Sequence, residues 1–285
     1  MRFAYYPGCT ATSTSIEYDE SVREISQYLG IELEDIPDWT CCGASSGHVI
    51  NRELAVALPS RNLALAEKMS MGILAACPAC SLRHKTAEYE LKQDASLKTK
   101  VEEDIGMKLD LSQQSKHILE VLYHDIGIDA IKEKVQKPLN GLKVVTYYGC
   151  YLVRPPEITG FDDPNNPMIM DNILEALGAE VIDWSFKVDC CGGSLSIAAP
   201  DIVKKLTGKI ISAASELEAD AIVTACGICQ ANLDIRQPKD GGSPPMPIFY
   251  FSELSALAFG SSNVQEWCAK HMVDPAALLR RLELL

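Results

Sequence analysis

The stretch Arg2-Phe-Ala-Tyr-Tyr-Pro-Gly-Cys9 is a short β-prone run that ends at a Gly-Cys, and Lys143-Val-Val-Thr-Tyr-Tyr-Gly-Cys150 repeats it in the second half. A Cys-Cys-Gly and then a Cys-x-x-Cys follow each of these runs, with gaps of 31 and 34 residues in the first copy and 39 and 34 in the second. This matched register predicts an internal duplication with two similar metal sites. Ten of the 11 cysteines belong to the pattern: Cys9, Cys41, Cys42, Cys77 and Cys80 in one copy, and Cys150, Cys190, Cys191, Cys226 and Cys229 in the other.

Strand and helix patterns alternate within each copy. A helix with Gly30 as its stop follows the first run, and its counterpart covers residues 169–177. Strands are predicted next at 31–36 and 180–184, then at 72–77 and 221–226 after a further helix. A last helical unit closes each copy, at 118–126 and 252–259.

This order predicts an α/β fold, because strands that alternate with helices form parallel sheets with right-handed crossovers. We expect two similar repeats, each a small Rossmann-like domain, related by pseudo-two-fold symmetry. The turn-forming cluster Pro138-Leu-Asn-Gly141 places the domains at 1–139 and 140–285. The Gly- and Pro-rich residues 237–247 are expected to form an exposed turn. Every motif cysteine is expected just past a strand, where the carboxyl ends of parallel strands share one edge of the sheet.

The amino-acid composition argues against several classes of function. With 285 residues and 47% hydrophobic residues the chain is an ordinary globular protein, and its net charge of −13 argues against nucleic acid as a partner. No apolar run approaches the length of a membrane span, and the start does not resemble a signal peptide. We therefore expect a cytoplasmic protein whose cysteines bind metal and do not form disulfides.

Five cysteines per copy, two of them adjacent, fit a single tetrahedral zinc ion poorly. A cluster of several irons offers more attachment points, and thiolates are the ligands that iron–sulfur clusters use. Zinc at one or both sites stays a minor alternative. Gly43, Gly192 and Gly193 are expected either to turn the backbone beside the metal and expose amides to sulfur, or simply to start a helix.

The double pattern resembles the cysteine-rich CCG domain, and nearly the whole chain resembles the B subunit of heterodisulfide reductase. That resemblance implies a noncubane [4Fe-4S] cluster in each repeat, held by the five cysteines of that copy. It also implies that a small disulfide enters between the two clusters and is cleaved with one electron from each. Partners resembling the C subunit of that enzyme, with cubane clusters, and its flavin-containing A subunit would supply the electrons.

Two points leave the substrate open. The first pair continues as Cys41-Cys-Gly-Ala-Ser-Ser-Gly-His48, which departs from the methanogen pattern and leaves the coenzyme M–coenzyme B disulfide or a bacterial analogue as substrate. CCG domains also occur in electron-transfer subunits of flavin- or quinone-linked dehydrogenases, such as those resembling glycolate oxidase. This is the alternative function.

Several other residues are weaker candidates. His48 and His84 are positioned to donate a proton, although a surface or packing role is the plainer interpretation. Arg83, Lys85 and Arg154 flank cluster cysteines and could bind an anionic substrate tail or simply be solvated. The tyrosines Tyr5, Tyr6, Tyr147 and Tyr148 are expected either to pack against the clusters and shield them or simply to pack in the core. Cys268 is expected to be buried as a small hydrophobe, and the helix after Pro275 to cap the core or dock a partner.

Overall fold

The computed structural model describes residues 1–44, 47–237 and 245–285. It contains two four-stranded sheets in which every pairing is parallel. Their strand orders are β2-β1-β3-β4 and β6-β5-β7-β8, which is the same order twice. The strands are β1 Arg2–Tyr6, β2 Glu32–Asp35, β3 Ile73–Ala75, β4 Lys116–His117, β5 Lys143–Tyr147, β6 Glu180–Val181, β7 Ala221–Thr224 and β8 Ile248–Tyr250.

Helices connect the strands and cover the sheets. In the first repeat they are α1 Gly8–Ala11, α2 Ile16–Tyr28, α3 Gly47–Ile50, α4 Arg52–Lys68, α5 Pro78–Gln93, α6 Ala95–Ile105, α7 Ile118–Glu120 and α8 Ile128–Glu133, with a π-helix at Val121–Ile126. In the second they are α9 Pro156–Thr159, α10 Ile169–Ala176, α11 Pro200–Glu216, α12 Gly227–Ile235, α13 Phe251–Ala258, α14 Val264–Cys268 and α15 Ala276–Arg281, with a 3₁₀ turn at Gly193–Leu195.

The predicted α/β class and its two similar repeats are confirmed. Three of the four strands in each copy were predicted. The fourth, β4 or β8, was not, and only the helix that follows it was predicted. The boundary expected between residues 139 and 140 falls in the connection between α8 and β5 and stays a prediction. Most of the turn expected at 237–247 lies outside the described residues.

Helices of each repeat pack against helices of the other repeat. Helix α2 of the first repeat packs on α13 of the second, which follows β8, and α10 of the second packs on α7 of the first, which follows β4. These contacts are reciprocal, as a pseudo-two-fold relation requires. One hydrophobic core cluster contains side chains of both sheets, so the repeats share a core.

The C-terminal segment closes that shared core. Leu279 of α15 and Cys268 of α14 are buried in it, at 0% and 1% exposure, so Cys268 packs as a small hydrophobe. The C-terminal helix therefore caps the core. In the part of the chain that the structure describes, no helix is both long enough and apolar enough to cross a bilayer.

A buried ion pair fixes the start of α10 against β5. The Lys187 ammonium lies 2.7 Å from Asp171, and both side chains are 1% exposed. The same carboxylate accepts hydrogen bonds from Thr146 (2.8 Å) and Tyr148 (2.6 Å). Because these donors satisfy the carboxylate, the pair can stay charged without water.

We predict that Lys187→Met destabilises the protein by about 3–5 kcal/mol, because it leaves Asp171 as an uncompensated buried charge. The matched control is Lys143→Met, whose ammonium lies 3.5 Å from Glu180 on the surface. It should change the free energy of unfolding by less than about 0.5 kcal/mol. Denaturant titration measures both values, and equal losses would contradict the role given to the buried pair.

Candidate functional site

The strand order brings distant cysteines together. In each sheet the second strand lies on one side of the first strand, and the third strand lies on the other side. The carboxyl ends of the first and third strands therefore flank a topological switch point. Cys9 and Cys77 follow the two strands at this point in the first sheet, and Cys150 and Cys226 follow them in the second. The two Cys-Cys pairs lie farther from a strand, six residues past β2 and nine past β6. Loops therefore carry them to the site, which corrects the expectation that every motif cysteine directly follows a strand.

Glycine is required immediately before the first cysteine of each set. Gly8 and Gly149 have φ values of +74° and +68°, a left-handed conformation that side chains disfavour. A Cβ atom at either position would also lie 3.2 Å from a thiol sulfur, that of Cys80 or Cys229. The repeated Gly-Cys dipeptide was the sequence signal for this approach.

The Cys-Cys-Gly turns have one geometry in both repeats. Gly43 and Gly192 have φ values of +77° and +78°. Their backbone N–H groups point to the sulfurs of Cys41 and Cys190, at 3.4 and 3.3 Å. The tight turn predicted at these two glycines is therefore present, with its amide directed at a cysteine sulfur, and the predicted contact of the amides with cluster sulfurs stays a prediction.

Within each set the thiols lie close enough to interact. The sulfurs of Cys42 and Cys80 are 3.3 Å apart, and those of Cys191 and Cys229 are 3.5 Å apart. Hydrogen bonds from neighbouring thiols lower the pKa of Cys42 and of Cys191, and the contact with Cys150 lowers the pKa of Cys190 to about 6. The same hydrogen bonds raise the pKa of the partner thiols Cys80 and Cys229, so each set contains thiols with lowered and thiols with raised pKa values.

All ten motif cysteines line a single cavity of about 430 Å³ between the repeats. Their exposure is matched across the two sets. Cys9, Cys41 and Cys190 are exposed and Cys150 is half-buried, whereas the remaining six are buried. The two sets therefore face one another across a space that is open to solvent at one side.

Three of the four tyrosines lie beside the cysteine sets. Tyr6 and Tyr147 are equivalent, since their hydroxyls donate to the carbonyl oxygens of Thr40 and Asp189, the residues before the Cys-Cys pairs. Burial and the nearby thiols raise the pKa of both. Tyr148 lines the cavity.

Tyr5 corrects the expectation that all four tyrosines contact the cysteine sites. Its hydroxyl donates to Asp19 at 2.6 Å, and Arg23 lies over its ring. The equivalent residue is Thr146, because Tyr5 and Thr146 both lie four residues before the first cysteine of their set, and Pro7 stands where the second repeat has Tyr148.

Neither histidine candidate is among the residues that line the cavity. His84 is fully buried behind Tyr6, with ring centroids 4.6 Å apart, and burial lowers the pKa of its imidazole to about 4. It is neutral at pH 7, which favours a packing role over proton donation. His48 is half-buried on α3, with Nδ1 at 3.4 Å from the carbonyl oxygen of Gly43.

The basic candidates also lie outside the cavity lining. Lys85 donates to Glu120 and to the carbonyl oxygen of Thr159, at 2.7 Å each. Arg154 is exposed and donates to Asn165 at 3.1 Å. Arg83 is half-exposed on α5. The structure therefore brings together the ten cysteines and none of the charged candidates.

Sequence reasoning missed two buried asparagines beside the cysteines. Asn62 pairs with the backbone of Thr40 through both its oxygen (2.8 Å) and its nitrogen (2.9 Å), which fixes the residue before Cys41. Asn232 donates to the Cys191 sulfur at 3.6 Å. Both stand within helices at positions that carry no local signal, so only the fold reveals them. They make the surroundings of the two sets chemically different.

The donor set fits an iron–sulfur cluster in its chemistry. Each set offers five soft thiol ligands, two of them on adjacent residues, beside left-handed glycines that bring backbone close to sulfur. In residues 1–44, 47–237 and 245–285, no three cysteine, histidine or carboxylate side chains already converge as a single metal ion would need.

A duplicated parallel α/β fold with five cysteines at each sheet edge defines a tandem cysteine-rich domain protein. The sequence model of the cysteine-rich domain (CCG) matches residues 3–83 and 144–234. The chain belongs to this family, and the recognition made from its cysteine pattern is confirmed.

Relatives match over nearly the whole chain. The 8-methylmenaquinol:fumarate reductase membrane anchor subunit of Wolinella succinogenes is 34% identical over 97% of this chain and 98% of its own length. The B subunit of the ferredoxin:CoB-CoM heterodisulfide reductase of Methanosarcina mazei is 29% identical over 99% and 97%. A protein of Archaeoglobus profundus, named as like the B subunit of heterodisulfide reductase, is 30% identical over 91% of each. The chain thus belongs to a family that includes B subunits of heterodisulfide reductases.

A solved structure supports the fold alone. The crystal structure of a hypothetical protein from Helicobacter pylori superposes with a TM-score of 0.72 at 12% identity, over 95% of this chain. The chain spans about half, 51%, of that longer protein.

We predict that Gly149→Ala lowers the iron content of the purified chain, because the new Cβ would lie 3.2 Å from the Cys229 sulfur and crowd the second set. Gly160→Ala is the control: φ there is +51°, but nothing lies within 4 Å of its Cβ. Both variants should lose about 1–2 kcal/mol of stability from the left-handed backbone. Iron and sulfide assays with thermal unfolding separate the effects, and equal iron contents would contradict the close approach to sulfur.

Proposed function

We propose that this chain is the catalytic subunit of a heterodisulfide reductase-type complex, which cleaves a disulfide in the cavity between two clusters. The observation that carries the proposal is the single cavity lined by all ten motif cysteines. Cleavage takes two electrons and two protons and releases two thiols. Two similar electron-carrying sites that face one S–S bond suit this stoichiometry.

Each set of five cysteines would hold one noncubane [4Fe-4S] cluster: Cys9, Cys41, Cys42, Cys77 and Cys80 the first, and Cys150, Cys190, Cys191, Cys226 and Cys229 the second. When bound, such clusters supply electrons singly. The matched turns and matched exposure of the two sets support equivalent ligand roles.

The chain's own residues shape the space in which a disulfide would bind. The rings of Tyr148 and Tyr151 and the Cys-x-x-Cys turns form its walls. Thr10, Ser194 and Ser196 offer hydroxyl groups there, whereas no histidine or carboxylate is found among the described lining residues. Because Cys9, Cys41 and Cys190 are exposed, we propose that protons arrive from solvent at the open side.

Electrons would come from partner proteins. Relatives of the chain are named as B and D subunits of heterodisulfide reductases, which supports a place within a complex. We propose partners resembling the C subunit of such enzymes, with cubane clusters, and their flavin-containing A subunit. A cytoplasmic location and domains at 1–139 and 140–285 belong to the same proposal.

Single cysteine replacements test the proposal. Cys42→Ala and Cys191→Ala should each lower iron from about eight to about four per chain. Both should abolish reduction of disulfides by dithionite-reduced methyl viologen, because each of the two electrons needs its own site. Cys268→Ala, a buried cysteine outside the pattern, is the control and should keep full iron and activity.

The assay uses one anionic and one uncharged disulfide, so that substrate preference does not decide the outcome. Full activity in both single variants would contradict the proposal. So would zinc without acid-labile sulfide in the anaerobically purified chain.

A quinol-linked electron relay is the second candidate. The observation that favours it is the 34% identity to a subunit named for 8-methylmenaquinol:fumarate reductase. Under this alternative the iron-loaded chain would exchange electrons with a naphthoquinol and leave disulfides intact. The disulfide assay described above would then show no reduction of either disulfide.

A further inference from the structure

The wall of the cavity contains no charged side chain among the described residues. Apart from the ten cysteines, its members are apolar or small and uncharged, and Ile197 stands at 97% exposure. Ile197 therefore adds an exposed apolar side chain to an uncharged wall. The members are Thr10, Ala44, Pro78, Ala79, Tyr148, Gly149, Tyr151, Gly193, Ser194, Ser196, Ile197, Ala198 and Ile228.

The described arginine and lysine side chains around the cavity are bound to other protein groups. Arg236 approaches closest, but it donates to the carbonyl oxygen of Ser196 (2.7 Å) and to Asn232 (3.1 Å) and does not line the cavity. Lys85 is paired with Glu120, and Lys187 is buried against Asp171. No described lysine or arginine therefore offers its charge to a ligand inside.

The charge of the surroundings is also unfavourable to anions. The chain carries a net charge of −13, and no charged side chain among the described lining residues offsets it inside the cavity. An anion placed there would lose water without gaining a counter-charge from these residues. An uncharged molecule pays no such penalty, and apolar parts of it gain from contact with Ile197 and Ile228.

We propose that the molecule which binds between the two cysteine sets is uncharged and largely apolar. This inference rests on the proposed function for the site and adds the chemical class of the substrate. An uncharged disulfide and a quinone share this chemistry, and the test separates them.

The test measures binding to the oxidised, iron-loaded chain by anaerobic calorimetry. Bis(2-hydroxyethyl) disulfide and bis(2-sulfonatoethyl) disulfide have the same carbon–sulfur skeleton and differ in charge. The uncharged one should bind at least about tenfold tighter, a difference of about 1.4 kcal/mol. In a second experiment, 2,3-dimethyl-1,4-naphthoquinone replaces the disulfide. The uncharged probe that the reduced chain also reduces shows whether the bound molecule is a disulfide or a quinone.

A variant that places a positive charge at the exposed lining residue Ile197 tests the same point. Ile197→Lys should improve binding of the sulfonated disulfide at least about fivefold, because it supplies the missing counter-charge. Ile202→Lys, at a half-exposed position outside the lining, should leave both affinities unchanged. Iron content and thermal midpoint confirm that both variants are folded and loaded.

Three results would overturn the inference: a sulfonated disulfide that binds the unaltered chain as tightly as the uncharged one, equal effects of the two lysine variants, or no saturable binding of either uncharged probe. Failure of the proposed function looks different. In that case an uncharged probe binds preferentially, yet neither disulfide is reduced.

Discussion

The hydroxyl of Tyr18 lies 2.9 Å from two carbonyl oxygens, those of Ala76 and Ala225, one in each repeat. These residues immediately precede Cys77 and Cys226, the cysteines that begin α5 and α12. The buried phenol therefore sets the two Cys-x-x-Cys turns in register with each other. Its ring stacks on Tyr250 of the second repeat at 4.3 Å, so the contact that aligns the turns also belongs to the shared core. A single cavity lined by both cysteine sets depends on this alignment.

The same reciprocity explains why the cavity is narrow and shielded. Each repeat covers the cysteines of the other: Thr10 and Ser15 pack on Gly227, and α9 packs on α5. Gly227 has no room for a side chain, because a Cβ there would lie 2.5 Å from the Ser15 hydroxyl. The first repeat has Pro78 at the equivalent place. Duplication thus produced two related thiol sets, while small differences such as Asn232 and His84 leave their surroundings unequal.

The sequence predicted the fold class, the duplication and the convergence of the cysteines, because strand–Gly-Cys units and Cys-x-x-Cys spacings are local patterns. It did not predict β4, which has two residues, or the loops that carry the Cys-Cys pairs. Aligning the two Tyr-Tyr pairs with each other gave Tyr5 a place that it does not occupy. The second pair lies one residue closer to its Gly-Cys than the first, and a one-residue shift reverses the face of a strand. Tyr18, Asn62 and Lys187 act through partners far away in the chain, and no local pattern marks such residues.

The central claim is that two iron–sulfur centres, one per cysteine set, face one cavity. An anaerobic crystal structure with anomalous data at the iron edge tests it most directly. The account predicts two iron-rich peaks, each in contact with all five cysteines of its set, on opposite walls of the same space. Iron in one set only, or zinc in either, would contradict it.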